Sequence, residues 1–176
     1  MKKLFVFLSG ISLGIVVLIL VVVWWLGAFN RVELLSEERG PYRIICMDHV
    51  GPYHEIANTI LEVQDRLKDV EDRLGGPCAI YYDDPAKVPK EKLRSKGGFL
   101  LKDEVEAKGL LEIVTMPRRM VLLGRLKGHP SLAPIKVYPA MAEWMEKNGF
   151  VPAGPAVEFY HKRFVECEIA IRPAGQ

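Results

Sequence analysis

The sequence predicts an α+β domain built from two pseudo-symmetric β-α-β-β modules, with antiparallel sheet and a groove between them, preceded by one transmembrane helix. Three observations carry this: a long uncharged apolar run near the N-terminus, an amphipathic stripe set between strand-like runs, and the return of that arrangement in the second half. The 176 residues suit one ordinary domain with a short appendage. Hydrophobic residues at 49% and charged residues at 26% describe a folded chain rather than a disordered one. The 24 basic and 22 acidic residues are interleaved, so no broad positive field is available to hold phosphates, and nucleic acid is not expected as a partner.

From Leu4 to Phe29 there is no charged side chain. At ~1.5 Å per residue a helix over this run exceeds the ~30 Å hydrocarbon thickness of a bilayer. Trp24 and Trp25 near its end suit an interfacial belt. Lys2 and Lys3 also fit the start of a signal peptide, but the apolar stretch is too long and no A-x-A-like site follows. Residues 1–30 are therefore expected to be an anchor, with 4–29 in the lipid bilayer. Lys2 and Lys3 flank the run on one side and Arg31, Arg39 and Arg43 on the other. The two lysines lie tight against the span, which favours an inside N-terminus and an extracytoplasmic domain.

Residues 31–41 are polar and short, and they are expected to form a tether leading into a domain over 42–172. Tyr42 to Met47 reads as a strand, broken by Gly51-Pro52. Ile56, Ile60, Val63, Leu67, Val70 and Leu74 then recur at spacings of four and three, which predicts an amphipathic helix ended by Gly75-Gly76-Pro77. Cys78 to Tyr82 and Gly97 to Lys102 read as further strands. The pattern restarts with a strand over Met120 to Gly124, a break at Gly128-His129-Pro130, and a helix over Ser131 to Asn148. Pro139 must kink that helix or open a new one at its first turn. Val157 to His161 and Phe164 to Ile171 supply two closing strands. Gly76-Pro77-Cys78-Ala79-Ile80-Tyr81-Tyr82 aligns with Gly154-Pro155-Ala156-Val157-Glu158-Phe159-Tyr160, marking a duplication. Two matched halves leave a groove between them.

That alignment sets Glu158 where the first copy has Ile80. Strand side chains alternate in direction, so Ala156, Glu158 and Tyr160 share one face. On a covered face an unpaired carboxylate loses water and its pKa rises, so it is either paired or kept for a ligand. Tyr53, Tyr82, Tyr160 and Trp144 are the aromatics available to wall a groove around it, an arrangement suited to a cationic or planar apolar compound. Asp83 and Asp84 before Pro85, with Arg94 beyond a short helical segment at Pro89, are expected to form a structural clasp. Cys46, Cys78 and Cys167 lack C-x-x-C spacing and sit in strand-like runs, so neither disulfides nor a zinc site is expected. His49, His54, His129 and His161 have no ligating or catalytic spacing, no hydrolase or nucleotide motif is present, and no metal or cofactor is expected.

The strings V-G-P-Y (Val50 to Tyr53), A-I-Y-Y-D-D-P-A-K-V-P-K-E-K-L-R (Ala79 to Arg94) and G-P-A-V-E-F-Y (Gly154 to Tyr160), in that order, resemble the GyrI-like domain. This is the effector-binding domain of multidrug-responsive regulators, built from two SHS2 modules. The resemblance implies a groove for apolar or cationic small molecules, with Glu158 as the acid on a strand of the second module. Some members are hydrolases of cyclopropane-bearing compounds. On that alternative Glu158 is the catalytic residue activating water, with Trp144 or Tyr160 positioning the substrate. A third reading is a membrane-tethered interaction adaptor. No helix-turn-helix precedes the domain, so a transcription regulator is not expected. An N-terminal span joined to this domain is similar to the family's ER-phagy receptor branch, but the chain stops at Gln176, without that branch's disordered adaptor-binding tail, so an autophagy role does not follow.

Overall fold

The computed structural model describes residues 2–175, with side chains from residue 14 onward. The chain opens with helix α1 (Lys2–Trp25), whose 24 residues measure ~36 Å at ~1.5 Å rise each. Its described side chains are apolar and turned to the outside: Ile15 to Val22, Trp24 and Trp25 are exposed, Trp25 to 77%. Among the described residues no helix is long and apolar enough to cross a membrane. In α1 the described side chains begin only at residue 14, and the first ten residues of the expected span over 4–29 lie outside them.

The strands are β1 (Val32–Arg39), β2 (Tyr42–Val50), β3 (Leu74–Tyr81), β4 (Arg94–Leu101), β5 (Glu112–Met116), β6 (Arg119–Lys127), β7 (Phe150–Tyr160) and β8 (Phe164–Pro173). They form one antiparallel sheet in the order β1-β6-β8-β7-β3-β4-β2-β5. Helix α2 (Ile56–Arg66) follows β2, and helix α3 (Tyr138–Asn148) lies between β6 and β7. Each half is thus a β-α-β-β module, and β3 and β7 join the halves. The two additional strands are exchanged: β1 precedes the first module yet pairs with β6 of the second, and β5 precedes the second yet pairs with β2 of the first.

One row of cross-strand partners crosses the sheet: Met47, Gly97, Ala79, Glu158, Cys167, Gly124 and Leu34. Directly opposed residues share a face, so this row belongs to one side. Both helices lie over it, and each crosses at a glycine. A Cβ on Gly97 would stand 3.0 Å from Ile60 of α2, and one on Gly124 would stand 3.0 Å from Met141 Sδ of α3. Val63 of α2 and Leu67 just after it are buried against Ile45, Met47 and Phe99, while α3 buries Met141 and Met145 against Leu122, Val165 and Cys167. On the far side Ile44, Cys46, Cys78, Ile80, Val157 and Phe159 form a third cluster.

Several expectations need correction. Residues 31–41 are not a simple tether, because Val32–Arg39 is strand β1, paired along its length with β6. Its ordering comes from a partner strand about ninety residues away in sequence, which local polarity does not reveal. β5 was likewise not expected. α2 ends at Arg66, and a 3₁₀ stretch Lys68–Arg73 completes the predicted helix. Gly75, Gly76 and Pro77 fall inside β3, at a register shift between Leu74 and Pro77, rather than in a turn. Pro139 lies in the first turn of α3, after a π-helical turn Ala133–Val137, so it opens a helix rather than kinking one. Glu158 and Ile80 are not equivalent. Glu158 lies opposite Ala79, whereas Ile80 lies opposite Val157 and faces the other side of the sheet.

Candidate functional site

The row that passes under both helices leaves an interval between them, above β3 and β7, where Ala79 and Glu158 face each other. The side chain of Ala79 is small, and Glu158 is only 6% exposed. Tyr81 and Tyr160 stand two residues after Ala79 and Glu158 and are equivalents in the two modules; their hydroxyls meet at 2.8 Å. Tyr160 donates to Glu158 Oε2 at 2.9 Å, and Tyr138, from the first turn of α3, donates to Oε1 at 2.8 Å. Tyr53, at the strand-to-helix break of the first module, stacks obliquely on Tyr81 with ring centroids 4.6 Å apart. The four tyrosines are half-buried and form a chain from the carboxylate: Tyr138 and Tyr160 bond it, Tyr81 bonds Tyr160, and Tyr53 packs on Tyr81.

No cationic side chain pairs with Glu158 among the described residues; its partners are the two tyrosine hydroxyls. Burial pushes its pKa above the ordinary glutamate value, and the bonds from Tyr138 and Tyr160 oppose the rise without cancelling it. Burial, and then the carboxylate itself, push the hydroxyls of Tyr138 and Tyr160 well above the usual phenol range. These hydroxyls therefore stay protonated donors.

The hydrogen count limits what the cluster can do. Three bonds link four groups: Tyr81 to Tyr160, Tyr160 to Glu158, and Tyr138 to Glu158. Three phenol protons supply all of them when Glu158 is ionised, whereas a protonated Glu158 leaves one O–H without an acceptor inside the cluster. Hydrogen bonding thus favours the anion and desolvation the acid. A cation entering the groove would tip the balance to the anion.

Of the expected site residues, Glu158, Tyr160 and Tyr53 come together, the last through Tyr81. Tyr82 does not: β3 ends at Tyr81, and Tyr82 is 40% exposed. Trp144 also does not reach the carboxylate. It stacks on Phe150 at 5.6 Å and packs at the border of the α3 core. Tyr81 and Tyr138 were missed. The parity of the strand assigns Tyr81 to the Glu158 face once Ala79 is known to oppose Glu158, but the ungapped internal alignment is one residue out of phase. Tyr138 follows an irregular turn whose phase no simple periodicity predicts.

The clasp forms in part. Arg94 grips Asp83 through two side-chain bonds of 2.7 and 3.0 Å and through its backbone N–H at 2.7 Å. Asp84 takes no part; it accepts from the Ala86 N–H at 2.9 Å and pairs with Lys87 at 3.0 Å. The hydroxyl of Tyr53 donates to the Asp83 carbonyl at 2.8 Å and accepts from its N–H at 3.0 Å, so backbone groups of this loop, not the guanidinium, hold Tyr53.

On the opposite face Glu166 and Glu168 are also buried, but paired. Arg125 and Arg39 hold Glu166, and Arg119, Arg39 and the hydroxyl of Tyr42 hold Glu168. They mark the contrast with Glu158, which has the burial without the cations. A hollow of about 500 Å³ lined by Pro41, Arg43, Leu101, Lys102, Asp103, Glu104 and Thr115 lies elsewhere, at the start of β2 and end of β4. Its charged lining is solvated: Arg43 pairs with a Glu104 that is 91% exposed, so no desolvated group there awaits a ligand. Among the described residues no cluster of three His, Cys, Asp or Glu side chains could hold a metal.

The family of GyrI-like small molecule binding domains matches residues 36–172. The chain belongs to that family. The GyrI-like domain here is similar in fold to the EcmrR C-terminal domain, at 14% identity and a TM-score of 0.65, over 82% of this chain and 99% of that one. Against EcmrR in its DNA complex the TM-score is 0.68 at 12% identity, covering 81% of this chain but 58% of that longer chain. SAV2435 bound to tetraphenylphosphonium matches at 11% identity and a TM-score of 0.52, over 80% of this chain and 94% of that one. At such identities these likenesses speak for the fold alone. No curated protein matches the chain, and the resemblance to the ER-phagy receptor branch finds no support.

Proposed function

We propose that this GyrI-like domain binds lipophilic organic cations in the groove between α2 and α3, with Glu158 as counter-ion, and that α1 anchors it in a membrane. The single observation that carries the reading is a buried carboxylate held only by tyrosine hydroxyls, with no cationic partner. Elsewhere in the molecule buried carboxylates have arginines. Four tyrosine rings at the groove supply flat, electron-rich faces for a delocalised cation. That a protein of this fold has been solved with tetraphenylphosphonium makes this compound the natural probe.

The anchor reading rests on the exposed apolar surface of α1, whose cost in water removal from a bilayer would restore.

A thermal-shift titration of residues 26–176 with tetraphenylphosphonium tests the binding. The expected result is a concentration-dependent rise in Tm that Glu158→Gln abolishes or weakens about tenfold or more, the scale of ~1.4 kcal/mol or above. No shift across a broad panel of lipophilic cations would contradict it. Mass spectrometry of the same mixtures separates binding from hydrolysis, since a binder returns its ligand unaltered.

A further inference from the structure

The junction between α1 and the domain is closed rather than loose. Gly27 and Gly128, both at positive φ, bring two backbones into contact: a Cβ on Gly27 would stand 2.6 Å from the Lys127 carbonyl, and one on Gly128 2.6 Å from the Leu26 carbonyl. The His129 N–H donates to the Leu26 carbonyl at 3.0 Å, and Asn30 Nδ2 donates to the Lys127 carbonyl at 2.6 Å. Lys136 donates to the carbonyls of Ala28 and Asn30 in the turn that follows α1. Leu26 and Ala28 pack onto the α3 core. With so many links, the orientation of α1 sets that of the second module.

The same end of the sheet, where β6 and β7 finish and β1 and β8 begin, gathers basic side chains. Lys127, Lys162 and Arg163 are exposed there, and the Gly128 N–H bonded to the Arg163 carbonyl ties the β7–β8 turn to the junction. Phe29 and Ile135 beside them are exposed to 67% and 69%. Two of the carboxylates of this end, Glu33 and Glu166, both pair with Arg125. The charge of the exposed lysines and arginine is thus left facing outward.

We infer that this end of the second module lies on the bilayer surface, with Phe29 and Ile135 entering the interface and Lys127, Lys162 and Arg163 meeting anionic headgroups. The inference rests on the reading of α1 as a membrane anchor. Trp24, Trp25 and Phe29 are exposed at and after the end of α1, and Lys136, next to the exposed Ile135, bonds the carbonyls on either side of Phe29; an apolar tip with a basic rim is complementary to an anionic interface.

The test uses the full chain in vesicles of phosphatidylcholine with phosphatidylserine. All three native cysteines are buried, so Ile135→Cys directs a thiol-reactive fluorophore to position 135. Val50→Cys, at the other end of β2, serves as the control. Brominated lipid is expected to quench the label at 135 by about half or more and leave that at 50 unchanged. Combining Lys127→Glu, Lys162→Glu and Arg163→Glu is expected to lose most of that quenching while the melting temperature stays unaltered. If carbonate washing leaves the chain in the vesicles but position 135 is no more quenched than position 50, this inference fails and the anchor stands. Equal quenching in the triple variant overturns the role of the charges. Release of the protein by carbonate overturns the anchor and this inference together.

Discussion

Glu158 is the residue on which the functional reading turns, and its environment sets opposing demands. Burial raises its pKa, while the hydrogen bonds from Tyr138 and Tyr160 favour the ion. A bond to a charged group contributes ~1.5–3 kcal/mol. Tyr138→Phe removes one of two such donors, so it is expected to raise the Glu158 pKa further and weaken tetraphenylphosphonium binding at neutral pH by about tenfold or more. Unchanged affinity and an unchanged carboxyl titration in NMR would show that Tyr138 is only packing. The sign of the stability effect follows from the same shift. An unfolded Glu158 titrates at ~4.3, and the folded one higher. The native state therefore binds the proton more tightly, and this contribution is complete below ~4.3 and lost as pH rises through the folded value. Glu158→Gln lacks that loss. The melting temperature of the variant relative to wild type is expected to rise from pH 4 to pH 8, and a difference independent of pH would contradict a raised pKa.

Secondary-structure elements decide what surrounds the carboxylate, and here the sequence was legible in part. The strand, helix, strand, strand order was readable in both halves, because the α2 stripe and the break residues are local signals. β1 was not legible, because its stability comes from β6 and from the reach of Arg39 to two buried glutamates. Arg39 is about three-quarters buried, and removing one partner of such a network leaves uncompensated charge. Arg39→Ala is expected to cost about 3–5 kcal/mol in chemical denaturation, whereas a tether residue would cost nothing measurable. The clasp behaves differently. Arg94→Ala is expected to lower Tm without changing cation affinity, because Tyr53 bonds to backbone groups of Asp83 and Arg94 rather than to the guanidinium. Arg94 also holds the Asp83 carboxyl below its usual range, so this stabilisation is present above the ordinary Asp pKa and is lost as pH falls through the lowered one. Lost binding in a folded Arg94→Ala protein would move the clasp into the site.

For the molecule as a whole, pseudo-symmetry sets β3 beside β7, and the proposed function rests on one departure from it. Tyr81 and Tyr160 match across the axis, but the position opposite Ala79 is an acid. The departure was visible in the sequence as Glu158, although the residue it replaces was misassigned, because the ungapped repeat is one residue out of phase with the alternation of faces. Counting from Glu158 to the basic turn at Lys162, the site stands ~13 Å from that end of the sheet at ~3.3 Å per residue. A domain held there by α1 would sample compounds that concentrate at a bilayer interface. On this reading, binding a cation ionises a carboxyl whose pKa burial has raised. Calorimetry of tetraphenylphosphonium binding in two buffers of different ionisation enthalpy reads the proton exchange directly. The account predicts release of up to about one proton below the raised pKa of Glu158, declining to none above it, with affinity rising over the same range and no release from Glu158→Gln. Wild type and Glu158→Gln binding with equal affinity, and with no proton exchanged at any pH, would contradict it.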